Sequence, residues 1–399
     1  MVSISVDTMD IDSQLFMALD NTFPALETFS VLIGLFNCPE YPLSFPENFV
    51  APHLRTLYLK NVVIKDNVIL EIPSIFPRFV TTLVSLHLEQ IEDYSYLPPN
   101  ELTERISSIP RLEKLSIRFQ VEFRLPDTER EFWDTQITRI VLSNLREFAF
   151  GGDSAYLEKM LALISTPLLQ SFDVAFFSQP TLVVQHISEF LSTIQSLDFR
   201  AVTVSFSDTV TITYRPTQTS DSLSCVMSDV DDVTNRHSQQ LATVTQICAA
   251  LGPTLNAVED VTLKFDRCYV TDDFTVRREL WRTFLRSFGA LKTLRTDVAL
   301  VPDLSKVLNP DNGTAAEELL PMLSELVVVS RIDLMHNPFA SLIHTRSLAG
   351  RAINFQVIKR RSPPPRTFTP GPFDALYERH DSAMHYIGEF DFSSIDDWS

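Results

Sequence analysis

The chain has 399 residues, 45% of them hydrophobic, and 51 acidic side chains against 33 basic ones leave a net charge of −18 at pH 7. That apolar content suffices for a large buried core, while the acidic balance repels phosphate backbones and anionic lipid and so argues against a general nucleic-acid or membrane-surface binder. No apolar run approaches the roughly 18 residues of a membrane span, and residues 1–12 lack a basic, apolar leader, so cytoplasm or nucleus is the expected compartment.

The first 23 residues carry a modest helical pattern (Ile11, Leu15, Leu19) leading into a unit that then recurs along the chain. Its template is P-x-L-x-x-L-x-φ, with apolar residues at the third, sixth and eighth places. Copies start at Pro24, Pro52, Thr81, Pro110, Ser143, Pro167, Ser192, Asn256, Gly289 and Pro321. Pro110 shows it best, with Leu112, Leu115 and Ile117. In the Ser192 copy the three places are Ile194, Leu197 and Phe199, and in the Gly289 copy the eighth place is Thr296. Starts are 24 to 33 residues apart except for one gap of 64 after Ser192. A period of this size marks a solenoid.

The sixth and eighth places alternate as a short strand with one buried face does. Between strands the spacing turns helical: Leu157, Met160, Leu161, Ile164; Ile187, Phe190, Leu191, Ile194; Trp281, Phe284, Leu285, Phe288. Each set makes one apolar stripe. A strand and a helix that are each apolar on one side bury those sides by stacking on neighbouring repeats. The expected fold is therefore an α/β solenoid, a curved parallel sheet with helices on its convex side. Residues 1–358 form it in about ten irregular repeats, with a hairpin and loop inserted near 201–236. Val202, Val204, Phe206 and Val210, Ile212, Tyr214 are the hairpin's two alternating runs. Pro216–Asp232, rich in Ser, Thr and Asp, reads as a flexible loop, and a helix over about 238–251 restores the repeat. Ile353, Phe355 and Val357 suggest a last strand, followed by a Pro-rich basic linker and a disordered acidic tail over 359–399.

Catalytic signatures are missing. There are nine glycines and no phosphate-cradling glycine loop, no G-x-S-x-G elbow, and no histidine pair at metal-ligand spacing. The four cysteines are scattered without a C-x-x-C pair. No cofactor, no metal and no enzymatic activity are expected. A closed (β/α) barrel enzyme shares the strand–helix alternation, but ten units are too many for its eight.

The fifth, seventh and ninth places face away from the helices and tile the concave surface, the usual binding face of a solenoid. Tyr58, His87, Lys114, Arg118, Asp173, Asp198, Arg200, Lys264 and Arg295 are the candidate binding residues there. Their mixed signs suit a protein target better than a nucleic acid.

The strand–helix units resemble those of leucine-rich-repeat proteins. The irregular form φ-P-x-L-x-x-L-x-φ and the closing Arg346-Ser347-Leu348-Ala349-Gly350-Arg351 are similar to fungal F-box leucine-rich-repeat chains. That resemblance implies the substrate-recognition part of a Skp–cullin–F-box ubiquitin ligase. The alternative is a free-standing repeat interaction protein. Leu97–Ile106 is similar to the opening of an F-box, yet its helix is needed by the repeat that follows. A Skp-type adaptor is thus a partner only through an F-box outside this chain.

Overall fold

Among the described residues, repeats open on a tight turn. The third-place N–H donates to the carbonyl three residues back, as in Leu26 to Phe23, Leu54 to Ala51, Leu112 to Ile109, Leu169 to Thr166 and Leu323 to Leu320, at 3.1–3.3 Å. The template's first place is then the second residue of the turn, where proline's fixed φ of about −65° is already the required one. The fourth-place carbonyl next accepts two backbone N–H groups from the following repeat. Arg55 accepts from Val84 and Ser85, Glu113 from Arg146 and Glu147, Lys292 from Ser324 and Glu325, all at 2.8–2.9 Å. These paired bonds lock one repeat's register to the next.

The computed structural model describes residues 2–8, 19–33, 49–61, 81–91, 97–120, 139–176, 185–192, 200–207, 209–215, 222–227, 236–265, 274–309, 319–330 and 336–359. Its strands are β1 (Val2–Thr8), β2 (Leu26–Ile33), β3 (Thr56–Lys60), β4 (Ser85–Ile91), β5 (Lys114–Phe119), β6 (Ile140–Val141), β7 (Glu147–Gly152) and β8 (Ile164–Ser165). They continue as β9 (Ser171–Phe176), β10 (Ala201–Phe206), β11 (Val210–Arg215), β12 (Ser222–Met227), β13 (Asp260–Phe265), β14 (Thr293–Asp297), β15 (Glu325–Ser330) and β16 (Asn354–Lys359). The helices are α1 (Pro99–Ser107), α2 (Ser154–Leu163), α3 (Gln185–Ser192), α4 (Arg236–Ala250), α5 (Gly252–Leu255), α6 (Phe274–Arg286), α7 (Val301–Leu308) and α8 (Ala340–Leu348).

Fourteen of these strands form one sheet in the order β1-β2-β3-β4-β5-β7-β9-β12-β11-β10-β13-β14-β15-β16, and β6 pairs with β8 beside it. β11 runs antiparallel to both its neighbours; the other described pairings are parallel. The apolar places meet the helices in one continuous core. Leu57, Leu115, Ile117, Phe148, Phe150, Phe172, Val261 and Leu294 belong to it from the strands, and Leu157, Met160, Phe190, Trp281 and Phe284 from the helices. Helices need about 8–10 Å between axes where strands need about 4.8 Å. A row of helices matched to a row of strands therefore bends the sheet, strands inward. This is the curved α/β solenoid expected from the repeats.

Local chemistry fixes the helices. Asp153 caps α2 by accepting the Ala155 N–H at 2.8 Å. Glu158, buried within α2, accepts the N–H groups of His186 and Ile187 and so caps the next helix, α3, from the neighbouring repeat. Arg277 of α6 lies 3.2 Å from Asp303 of α7, both side chains nearly buried. Arg346 of α8 donates to the carbonyls of Leu319 and Leu323 and ties the last helix to the last turn. Gly350, at φ +75°, then carries the chain out of α8 through a left-handed conformation that a Cβ would disfavour.

β1 precedes the first unit, its Val2, Ile4 and Val6 alternating and pairing in parallel with β2, while Ile11 and Leu15 of the expected helix lie outside the described residues. Three differences from the sequence reading have physical causes. The strand expected from Ser192 is found five residues later: Val202 and Val204 pair with Val261 and Leu263, so the true sixth and eighth places are those two. Arg200 takes the fourth place, its carbonyl accepting from Glu259 and Asp260, and Ile194, Leu197 and Phe199 lie outside the described residues. Pro216–Asp232, read as a flexible loop, contains β12. That strand fills the slot between β11 and β9, because the hairpin would otherwise leave both with unpaired backbone. Lastly, the hairpin does not stand apart from the ladder: β10 is itself a repeat strand, and β11 and β12 widen the sheet. The expectations for the tail beyond residue 359 fall outside the described residues.

Candidate binding surface

The register brings the seventh places into one row across the face opposite the helices. From the N-terminal edge it runs Ser30, Tyr58, His87, Ser116, Ala149 and Asp173. It continues through Ser224, Thr213, Thr203 and Thr262 to Arg295, Val327 and Gln356. Of the expected residues, Tyr58, His87, Asp173 and Arg295 share this row. Lys114 sits in the fifth-place row beside Glu147, and Arg118 and Lys264 in the ninth. Arg200 is exposed immediately before β10, and Asp198 lies outside the described residues.

Five of these residues are gathered between β3 and β9. The Tyr58 hydroxyl donates to Glu89 Oε2 at 2.8 Å, and its ring lies 5.7 Å from the His87 ring, tilted by 43°. His87 Nε2 and Ser85 Oγ are hydrogen-bonded at 2.8 Å. Lys114 Nζ and Glu147 Oε1 form an ion pair at 2.7 Å, with both side chains about half exposed. Arg118 stands opposite Gly151, where a Cβ would come within 3.2 Å of the Arg118 Cγ. The missing side chain leaves room for the arginine stem to lie against the sheet.

The electrostatics follow from partial burial among these charges. Burial pushes the Tyr58 phenol well above its ordinary value, and the Glu89 carboxylate adds to the effect. Burial also lowers the His87 imidazole, helped by Lys114 and Arg118 against Glu89 and Glu147. The Asp173 carboxyl is raised by burial, which outweighs the favourable Arg118 charge and the Ser171 hydrogen bond. The patch therefore offers a fixed phenol, a neutral imidazole and charges of both signs on neighbouring strands.

Glu89 and Gln90 hold a bulge that sequence reasoning missed. Gln90 has φ +54°, and pairing with β5 resumes only at Ile91 opposite Phe119. The polar doublet Glu89-Gln90 ahead of Ile91 was the available signal. The middle of the row, Ser224, Thr213 and Thr203, is also new; Asp198 was the seventh place expected there. Among the described residues no group of three or more His, Cys, Asp or Glu could hold a metal, and no helix is long and apolar enough to cross a membrane.

No family model and no curated protein matches this chain. Among solved structures, the leucine-rich-repeat-containing protein LegL7 from Legionella pneumophila is similar at a TM-score of 0.34 and 14% identity, over 88% of this chain and 98% of that one.

Proposed function

We propose that the chain is a non-catalytic, protein-binding repeat scaffold whose contact surface is the face of β3–β9 bearing Tyr58, His87, Lys114, Arg118 and Asp173. The observation that carries this reading is the cross-strand network itself. Tyr58–Glu89 and Lys114–Glu147 hold rotamer-rich side chains in place before any partner arrives, so less ordering entropy is lost on contact. Tyrosine and arginine are over-represented among residues that dominate interface energies. Alternating signs in so small an area favour a polypeptide over a uniformly charged polyanion.

Affinity capture from cells with the wild-type chain and with Tyr58→Ala/Arg118→Ala tests it. The double variant is expected to retain its fold, judged by circular dichroism, and to lose the captured proteins by more than about tenfold. An unchanged set of captured proteins would place the contact surface elsewhere.

The narrower proposal, a substrate receptor of a Skp–cullin–F-box ligase in the cytoplasm or nucleus, rests on the likeness of the repeats to fungal F-box leucine-rich-repeat chains. It requires an adaptor site other than Leu97–Ile106. Leu102 and Ile106 of α1 are buried in the repeat core, and the Leu97 carbonyl accepts a hydrogen bond from the Tyr156 hydroxyl at 2.8 Å. The chain by itself is therefore expected not to bind a purified Skp-type adaptor. Adaptor and cullin subunits captured by this chain would overturn that expectation and support the ligase role through a docking site elsewhere on it.

A further inference from the structure

Both strands beside Arg118 withhold the side chain that would answer its charge. Arg118 holds the ninth place of β5, half-buried, and in a regular ladder the ninth places of β4 and β7 would flank it. On the β4 side the register slips between Leu88 and Ile91, with Gln90 at φ +54°. Glu89 gives its Oε2 to the Tyr58 hydroxyl of β3 instead, at 2.8 Å. On the β7 side stands Gly151, with no side chain to offer. Among the described residues the Arg118 guanidinium therefore forms neither an ion pair nor a hydrogen bond. Its Nε is closed off from solvent with nothing bound to it, which leaves the two outer Nη groups to meet a ligand. Its charge reaches Tyr58, His87 and Asp173 on three different strands, so the guanidinium sits in the middle of the face.

The other acids of the face are already engaged. Glu147 is held by Lys114 at 2.7 Å. Asp173 lies beyond β7, where it feels the Arg118 charge without an ion pair to it and keeps a hydrogen bond to Ser171. Between Arg118 and Asp173 the exposed face of β7 carries only Ala149 and Gly151, and glycine inside a strand suits a place where another backbone comes close. A bulge that re-aims a side chain and a glycine within a strand each weaken a ladder. Their common result here is one open guanidinium above a floor almost without side chains.

We infer that Arg118 receives a carboxylate, the side chain of one aspartate or glutamate in an extended partner segment lying over Ala149 and Gly151. The inference rests on the proposal that this face contacts protein. A planar guanidinium presents parallel N–H groups to both oxygens of a carboxylate, a match that a neutral amide does not reproduce. The charge of the whole chain, −18, limits the rest of the segment, because a run of acids would be repelled. Glu147 and Asp173 nearby add to that repulsion. The recognised segment thus carries a single acid among neutral or basic residues.

Binding of the full chain to immobilised pools of short synthetic peptides tests the inference. The pools are randomised over neutral and basic residues and differ only at the central position, fixed as Asp, Glu, Asn or Gln. Wild type is expected to bind each acid pool about tenfold more tightly than its amide counterpart, the difference that a hydrogen-bonded charge makes. Arg118→Gln should erase that preference while binding the amide pools as before, with an unchanged thermal melt, and Arg118→Lys should keep only part of it. A wild-type chain without preference for the acid pools would overturn the inference, as would an Arg118→Gln chain that retains the preference. If the pools bind without regard to the acid and Tyr58→Ala releases them, only the carboxylate assignment fails and the face remains a protein contact. If no pool binds and the proteins captured from cells are indifferent to Tyr58→Ala/Arg118→Ala, the contact surface itself lies elsewhere and both readings fall.

Discussion

The stretch from β2 to β9 and the stretch from β9 to β13 solve the same packing problem differently. In the first, each strand is introduced by a turn, and four of its six have proline in the turn's second place (Pro24, Pro52, Pro110 and Pro167). One strand follows one turn, and the next repeat hangs from the fourth-place carbonyl. In the second, no proline introduces β10, and three strands separate β9 from β13. β11 has no helix of its own; the 15-residue α4 covers it, with Val210 and Ile212 buried and Gln240 donating to the Ser207 carbonyl at 3.0 Å. The lesson is that a rigid turn sets where a strand starts. Without it, the longest alternating run decides.

The strongest way to test the first half of that contrast is to remove a sixth-place side chain inside the regular ladder. Leu115 is almost fully buried, so Leu115→Ala should destabilise by about 2–5 kcal/mol in chemical denaturation. A midpoint equal to wild type would mean the sixth place is not core. A smaller effect sharpens the second half. Val204→Ala removes a fully buried eighth-place side chain of β10 and should cost about 2 kcal/mol from lost burial and a residual cavity. If the register instead followed Ser192, Val204 would be peripheral and the substitution nearly silent. A third measurement concerns β12 alone. Paired to β9 on one side and β11 on the other, its amides between Leu223 and Met227 should exchange far more slowly than those of an open loop. Exchange as fast as in a short unstructured peptide would remove β12 from the sheet.

These cases also show how much was legible in advance. The ladder was readable because leucine at fixed places and proline at the turn are two independent signals of one geometry, as at Pro110, Leu112, Leu115 and Ile117. The middle was misread because Leu197-Asp198-Phe199-Arg200-Ala201-Val202-Thr203-Val204 carries a second, overlapping copy of the template. Both copies satisfy the apolar pattern, and only backbone pairing to Val261 and Leu263 separates them. β12 was hidden by composition: serines at Ser222 and Ser224 look like a loop, although Leu223, Cys225 and Met227 alternate between them. On the binding face, Tyr58, His87, Lys114 and Arg118 could be named from their places. Their partners Glu89 and Glu147 could not be singled out, since hydrogen bonds between strands about 30 residues apart depend on rotamers that no repeat pattern encodes.

The smallest expected effect ties the binding face of the regular region to pH. His87 is held below its ordinary value of 6.5, chiefly by burial. A histidine with a lower value folded than unfolded contributes full stability above the unfolded value. It loses that contribution as pH falls through 6.5 toward the folded value. Asp173 works in the opposite sense. Its value is raised by burial above the ordinary 3.8, so its favourable contribution is complete at low pH and fades as pH rises through 3.8 toward the raised value. The two windows are set in opposite directions from different starting points, which lets the histidine be isolated on the neutral side. Thermal melts between pH 7.5 and pH 6 should show wild type losing stability on acidification, with His87→Gln losing less. Glutamine can keep a hydrogen bond to Ser85 but cannot take up a proton near Lys114 and Arg118. Parallel pH profiles for the two proteins would show that His87 is too well solvated to matter, and that the neutral imidazole is not part of what the face presents.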